Sequence, residues 1–544
     1  MAGDYTGMSD ITSREEAWQR ARDYTDETRR TAARAVLHDL VRGVALRAAL
    51  HRHPALGSYL AKDALVHAYR DMVAAGEIAE SPALLRALRM KPVRTLSGVA
   101  TVTVLTKPYP CPGECIFCPT DARMPKSYLV DEPGAMRAGQ HDFDPFAQTR
   151  ARLESLTAVG HPTDKIELLI LGGTWSAYRR DYQAWFVQRC LEAINGSESP
   201  SLEAAQAANA RAARRNVGLV IETRPDRIDE DELRWLRQLG VTKVQVGVQS
   251  TDDEILALNK RGHTLQATRE AFRLLRAAGF KIHAHWMPNL LGSDPQRDRA
   301  DFARLWSDAN LRPDELKIYP TSLLRNSELF AYWERGEYTP YSYETLLEMM
   351  VDIKPTIPRY CRVNRLVRDI PAHHVVAGNR RSNLREEAQR ALGQRGLDCT
   401  CIRCREVRER PVDPGLLRLN DLTYMAGGGE EHFLSFDSPD DRLAGYLRLH
   451  LPQAEAPRAL AADLRGAAIV RELHVYGQSL SLGETQAGAV QHLGLGARLL
   501  DEAERIARVH SYRRLAVISA IGTREYYAAR GFEGGELYQV KLLH

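Results

Sequence analysis

Apolar positions change their rhythm twice along the chain, and each change marks a different architecture. Over residues 14–92, Val36, Leu37, Leu40, Val41, Val44 and Leu50 recur at helical spacing with arginines between them, which predicts helices. The first crowding of β-branched residues is SGVATVTVLTKP (97–108). Short, nearly continuous apolar runs follow: KIELLILGG (165–173), VGLVIETRPD (217–226), KVQVGVQS (243–250), KIHAHWMPNL (281–290) and ELKIYPTS (315–322). Helix-like stretches such as DEDELRWLRQLG and TLQATREAFRLLRAAGF separate them. Apolar strands alternating with helices predict an α/β fold, a parallel sheet covered by helices. Six such strands with polar C-terminal ends predict a partial barrel. The polar segment 195–216 reads as a surface insertion. After about Pro355 the alternation fades, and PVDPG (411–415) reads as a linker. From Leu416 strands followed by one long helix predict a separate, smaller α/β domain. The expected domains are 1–92, 93–365, 366–410 and 411–544.

A chain of 544 residues, 44% apolar and 26% charged, is a multidomain globular enzyme by composition. No apolar stretch has the length of a membrane span, and the first residues lack the layout of a secretory signal. Eight cysteines are too few for a disulfide scaffold, and six fall in two tight groups. That usage predicts a reducing, cytoplasmic compartment with thiolates holding metal. The net charge of +4 hides a local excess: Lys354 to Arg410 carries 14 Lys/Arg against 6 Asp/Glu. A second basic stretch holds Arg29, Arg30, Arg34, Arg42, Arg47 and Arg52 against Asp39. Charge gathered this way predicts a polyanionic partner, against the plainer reading of solvated helix faces.

CPGECIFCP (111–119) sets Cys111, Cys115 and Cys118 on a loop after the first barrel strand. A structural zinc site wants four protein ligands, and no fourth Cys or His stands nearby. A four-iron cluster on three thiolates leaves one iron open for a small molecule. The spacing and position resemble those of radical S-adenosylmethionine (SAM) enzymes. That resemblance implies a [4Fe–4S] cluster whose open iron binds SAM, with Gly172, Gly173, Glu222 and Gln249 as SAM contacts. It also implies catalytic roles for Lys317 and Tyr319 inside the barrel. Arg224, Ser250, His283, His285 and Asn289 are further polar residues at strand ends.

A second cluster, Cys399, Cys401 and Cys404, lies among arginines without a strand before it. It reads as a structural zinc site whose fourth ligand comes from His373, His374 or Cys361, or as a second iron–sulfur site. Arg403 and Arg405 beside it are candidate RNA contacts, together with Arg29, Arg30, Arg34, Arg42 and Arg47. Near the end, VRELHVYG (470–477), QHLGLGARLLDEAERIA (491–507) and REYYAARGF (524–532) resemble the GNAT acetyltransferases. In that fold a glycine-bearing loop at a helix N-terminus holds the pyrophosphate of acetyl-CoA.

A radical SAM barrel joined through a zinc linker to a GNAT domain resembles the catalytic subunit of Elongator and its stand-alone bacterial and archaeal relatives. SGVATVTVLTKP, MRAGQHDFDPFAQTR, TDKIELLILGGTW, the DIP at 369–371, RELHVYG and QHLGLG carry the resemblance. It implies an acyltransferase acting on the wobble uridine of tRNA. A 5′-deoxyadenosyl radical would activate the methyl of acetyl-CoA for addition to carbon 5, leading to 5-carboxymethyluridine. The implied acetyl-CoA contacts are Lys165, Glu472, Leu473, His474, Val475, Leu495, Gly496, Ala497 and Tyr527. The expected partner is tRNA, with no membrane, and with accessory subunits and homo-oligomers left open. Two other readings stand beside this one: a protein lysine acetyltransferase with a scaffold barrel, and a non-catalytic RNA-binding module.

Overall fold

The computed structural model describes residues 26–55, 60–95, 97–408, 412–476 and 494–544. The first residues and Gln491, His492 and Leu493 of the expected acetyl-CoA loop lie outside them. The chain divides into two compact units, one of residues up to 96 with 151–163, the other of 97–150 with 164–544.

The first unit is helical, with Glu27–Val41, Leu46–Arg52, Lys62–Ala74 and Pro82–Leu88 burying Ala33, Val36, Leu37, Ala49, Leu65 and Met72. Side chains start two of these helices. Asp26 accepts from Arg29 N at 2.9 Å, and Ser81 from Leu84 N at 3.2 Å. The distant segment is tied in where Arg70 donates to the Thr157 carbonyl (2.7 Å) and Arg89 to that of Gly160 (2.9 Å). Arg30, Arg42 and Arg47 face solvent, and Arg34 pairs with Glu77. Arg29 departs from the expectation of a phosphate contact: it is 7% exposed.

The second unit holds two seven-stranded sheets. The first is wholly parallel: β1 (Ala100–Leu105), β2 (Lys165–Leu171), β3 (Arg215–Thr223), β4 (Lys243–Gln249), β5 (Lys281–Trp286), β6 (Glu315–Ile318), and then β8 (Arg362–Arg365). A short pair, β7 (Leu323–Leu324) and β9 (Val375–Ala377), stands apart. The six expected strands are present, and β8 adds a seventh beside β6. Helices follow the strands for local reasons. Asp229 and Asp294 cap Glu230–Leu239 and Pro295–Ser307, and Gly240 ends the first of these in the left-handed region. The segment 195–216 is no loose insertion: it forms the helix Leu202–Asn209, with Leu202, Ala205 and Asn209 buried, and enters β3.

The second sheet runs β10 (Arg418–Ala426), β11 (Gly429–Asp437), β12 (Leu443–Pro452), β13 (Ala467–Val475), β14 (Arg514–Val517), β16 (Gln539–Leu542), β15 (Glu533–Gly534). The amphipathic helix Leu495–Val509 buries Leu495, Leu499, Leu500 and Ala503. This domain meets the N-terminal ends of the barrel strands. Lys281, first in β5, pairs with Glu472. Arg362, first in β8, donates to Tyr476 Oη at 2.9 Å. Asp314 and Glu431 gather Arg276, Arg448 and Arg471 in a buried network.

Candidate active site and cofactor sites

Parallel strands deliver their last residues to one face, and the cysteine loop lies across it. The loop is pinned by its backbone: Ile116 N donates to the Asn259 carbonyl (3.3 Å), and Leu329 N to that of Ile116 (2.8 Å). Arg261 Nη1 donates to Cys115 Sγ at 3.3 Å. Thr174 Oγ1 stands 3.5 Å from Cys111 Sγ. A hydrogen bond from Cys118 and attraction by Arg261 and Arg224 bring the Cys115 thiol down to about 5, against the cost of burial. Among the described residues, the sulfurs of Cys399, Cys401 and Cys404 lie within 4.8 Å of one another, whereas Cys111, Cys115 and Cys118 make no such group. The trio of Cys399, Cys401 and Cys404 is close enough to share one ion.

Buried polar atoms without partners lie beside the loop: Arg224 Nη1, Arg261 Nε and Gln249 Oε1. Native interiors rarely leave such groups unsatisfied, so their gathering beside three thiols fits a polar, anionic guest. Gly172 (φ +145°) is required here, because a Cβ would collide with Thr106 Oγ1, and Gly173 (φ +87°) follows in the left-handed region. Gln249 also has positive φ (69°), a strained setting for a side chain at the end of β4. Of the expected SAM contacts, Gly172, Gly173, Glu222 and Gln249 all lie at the ends of β2, β3 and β4.

Below them a polar column fills the barrel. Tyr128 Oη donates to Glu222 Oε2 at 3.3 Å. Gln245 Oε1 accepts from Lys317 Nζ and stands 2.9 Å from His285 Nε2. His283 Nδ1 is 3.3 Å from Glu315, which pairs with Lys243 (3.3 Å) and Lys281 (3.4 Å). Burial pushes the Lys317 ammonium down to about 7, against the pull of Glu222. Burial also moves the Glu222 carboxyl and Tyr319 phenol upward, the latter to about 12. Two residues expected at this face have other duties. Ser250 donates to buried Asp301 (2.9 Å), and the Asn289 side chain accepts from Tyr341 N (2.7 Å).

At the barrel's opposite end, β13 pairs with β14 only through Val470, and its register against β12 shifts around Arg471. Beyond that bulge the backbone of Glu472–Val475 leaves β14, and the N-terminus of Leu495–Val509 abuts it. A Cβ on Gly496 would meet Tyr526 Oη, Leu473 and Val475. Glu472, Leu473, His474, Val475, Leu495, Gly496 and Ala497 therefore converge, with buried Tyr527 alongside Tyr526. The Glu472 side chain is occupied by Lys281, Arg448 (2.9 Å) and Tyr446 (2.7 Å). Lys165 opens β2 two residues before Glu167, whose charge acts on His474.

A buried cation acts on the linker cysteines. Lys354 Nζ is buried without a hydrogen-bond partner, and its charge favours the thiolates of Cys399, Cys401 and Cys404. His373 and His374 do not join them: both Nε2 atoms sit on Asp131, at 2.9 and 2.7 Å. Cys361 is beside Cys401, its carbonyl accepting from Ile402 N at 2.9 Å. Arg403 is half-buried. Arg405 departs from the expected RNA role, being 4% exposed and bound to Asp437 at 2.9 Å.

A parallel half-barrel with three cysteines on its first strand-to-helix loop defines a radical SAM protein. Residues 109–304 match the Radical SAM superfamily, and 313–393 the Radical_SAM C-terminal domain. The tRNA uridine(34) acetyltransferase of Dehalococcoides mccartyi (strain CBDB1) is 44% identical over 456 residues, covering 83% of this chain and 99% of that protein. Elongator complex protein 3 of Homo sapiens is 38% identical, covering 87% and 89%. The archaeal Methanocaldococcus infernus Elp3, solved with an N-terminal deletion, superposes with a TM-score of 0.72 at 40% identity, over 82% of this chain and all of that one. The chain belongs to the family of the tRNA uridine(34) acetyltransferases and Elongator complex protein 3.

Sequence reasoning missed Arg261, Thr106, Tyr128 and Gln245. Arg261 follows a helix in RGHT, where nothing in the local pattern marks it as a neighbour of Cys115.

Proposed function

We propose that this chain modifies the wobble uridine of tRNA, joining an acetyl-CoA-derived carbon to its base by radical chemistry. The carrying observation is the group of unpartnered buried polar atoms beside the loop of Cys111, Cys115 and Cys118, in a chain 44% identical to a tRNA uridine(34) acetyltransferase. When bound, the cluster and SAM supply one-electron reduction and a hydrogen-abstracting radical. The protein's part is positional. Cys111, Cys115 and Cys118 hold the cluster, and Arg224 and Arg261 offset its negative charge. Gly172 and Gly173 let main chain approach SAM, while Glu222 and Gln249 offer acceptors to its amino and ribose groups. Lys317, poised near neutrality, holds or releases a proton beside Glu222, and Tyr319 lines the same chamber.

Acetyl-CoA would be held by the backbone of Glu472–Val475 and by Leu495, Gly496 and Ala497 at the helix N-terminus, which favours its pyrophosphate, with Tyr527 and Lys165 as further contacts. The thiolates of Cys399, Cys401 and Cys404 hold zinc. Cys361 is the nearest of the three fourth-ligand candidates, and Lys354 balances the charge. Arg30, Arg42 and Arg47 face solvent, where they would meet RNA phosphates. The enzyme works alone on tRNA in the cytoplasm; among the described residues no helix is long and apolar enough to cross a membrane. A lysine acetyltransferase with a scaffold barrel would have no use for a cationic thiol pocket at the strand ends. The test is Cys115→Ala, assayed anaerobically with reductant, SAM, acetyl-CoA and tRNA. Uridine modification and 5′-deoxyadenosine should both vanish while tRNA binding persists; retained modification overturns the reading.

A further inference from the structure

β11 alternates its side chains between two tasks. Glu431 points into the buried arginine network, so Glu430 and His432 point to the other face. His432 is 5% exposed, and its ring is held from behind: Asp421 Oδ2 stands 2.8 Å from Nδ1, with Thr423 Oγ1 at 3.4 Å. An Nδ1–H bonded to Asp421 leaves Nε2 as a lone pair. That Nε2 is buried without a hydrogen-bond partner. Glu430 Oε1 is 3.1 Å away, close enough to pair with a protonated ring or to share an ion with a neutral one. The third member is exposed His510, the C-cap of the helix Leu495–Val509, whose ring lies 5.8 Å from that of His432. One donor atom from each of Glu430, His432 and His510 falls within 4.8 Å of the others.

We propose that Glu430, His432 Nε2 and His510 bind one divalent transition-metal ion of the zinc class. Two ligand atoms about 2.1 Å from an ion at ordinary coordination angles stand about 3 Å apart, matching Glu430 and His432. Two imidazoles and a carboxylate suit Zn²⁺, Co²⁺ or Ni²⁺ over Mg²⁺ or Ca²⁺. A carboxylate behind a ligating histidine is the arrangement that fixes ring tautomer and orientation in metal sites. The helix C-terminus, rich in unpaired carbonyls, favours a cation at His510. Tyr512, near Glu430, does not compete, because its hydroxyl donates to the Pro452 carbonyl at 2.7 Å. The ion pins the far end of the helix whose N-terminus borders Leu473 and Val475, and so stiffens the acetyl domain without entering the radical chemistry.

The test is an anaerobic Co²⁺ titration of full-length protein whose cysteine sites are already filled. One further equivalent should bind in the micromolar range, with ligand-field bands and no thiolate charge-transfer band, and Zn²⁺ should displace it. His510→Ala, at an exposed position, and Glu430→Gln should each weaken binding at least about 10-fold, and Asp421→Asn about 10–100-fold. Cys404→Ser should leave the bands unchanged. Binding should raise the melting temperature of the parent and not of His510→Ala. No further equivalent in that range, or one indifferent to both His510→Ala and Glu430→Gln, overturns the site. It then leaves His432 as an imidazolium between Asp421 and Glu430.

Discussion

Arg471 on β13 and Asp314, the residue before β6, form an ion pair in which neither side chain reaches solvent. Asp314 also lies 3.4 Å from Arg448 and 3.7 Å from Arg276, so one carboxylate answers for three guanidiniums across the foot of the barrel. Glu431 shares the load at 2.7 Å from Arg471. Removing one partner of such a set leaves buried charge uncompensated, which costs far more than the pair contributes. Asp314→Asn should lower unfolding free energy by roughly 3–5 kcal/mol in urea titrations. Barrel and acetyl domain should still melt in one transition, because the network joins them.

Lys317 should give the enzyme a proton-linked step near neutrality. Its ammonium releases a proton at about 7 in the fold, against about 10.4 in the unfolded chain. Between those values the unfolded state binds more protons, so stability rises with pH from about 7 to about 10. Lys317→Met should flatten that rise. If the neutral amine accepts a proton in turnover, the single-turnover rate should fall below pH 7 in the parent, and Lys317→Arg should not follow that profile.

Acid should act at the opposite end of the barrel. Lys281 and Arg448 hold the Glu472 carboxyl at about 2 despite its burial. Its stabilisation is complete above the unfolded value near 4.3 and is lost as pH falls toward 2. Glu472→Gln should lose stability at neutral pH and show a shallower decline over that acid range. Circular dichroism melts across the range measure both.

Gly172 should tolerate no side chain. Gly172→Ala should cost roughly 1–3 kcal/mol from backbone strain alone and abolish SAM binding in calorimetry. Pairing it with Thr106→Ala should relieve the collision and leave the strain.

Arg261 should matter to the electron more than to assembly. Arg261→Met removes a donor and a positive charge from Cys115 while keeping an unbranched side chain. The reconstituted cluster should form with unchanged iron content and show a lower reduction potential in an EPR-monitored titration.

What the sequence made legible follows from which interactions are local. β1 to β6 announce themselves because their short runs of mostly apolar, β-branched residues alternate with helical stretches, and Cys111, Cys115 and Cys118 because their spacing lies within one loop. β8 hid because RVNR is short and basic, its arginines satisfied by partners such as Tyr476, more than 100 positions away in the chain. Arg29 and Arg405 looked like phosphate contacts because composition cannot separate a solvated arginine from a buried one that has found Asp437. His373 and His374 looked like zinc ligands until Asp131 placed them elsewhere. Arg261 was silent for the same reason: nothing short-range reports that a helix end will return to the cysteine loop.

The central claim is that three thiolates leave one coordination position for SAM, and the reduced enzyme's EPR spectrum before and after adding SAM tests it most directly. An anaerobically reconstituted, four-iron cluster whose signal shifts on addition of SAM, with ¹⁷O- or ¹⁵N-labelled SAM showing direct hyperfine coupling, is the predicted result. A cluster indifferent to SAM, or a site holding a single ion saturated by protein ligands, would contradict the account.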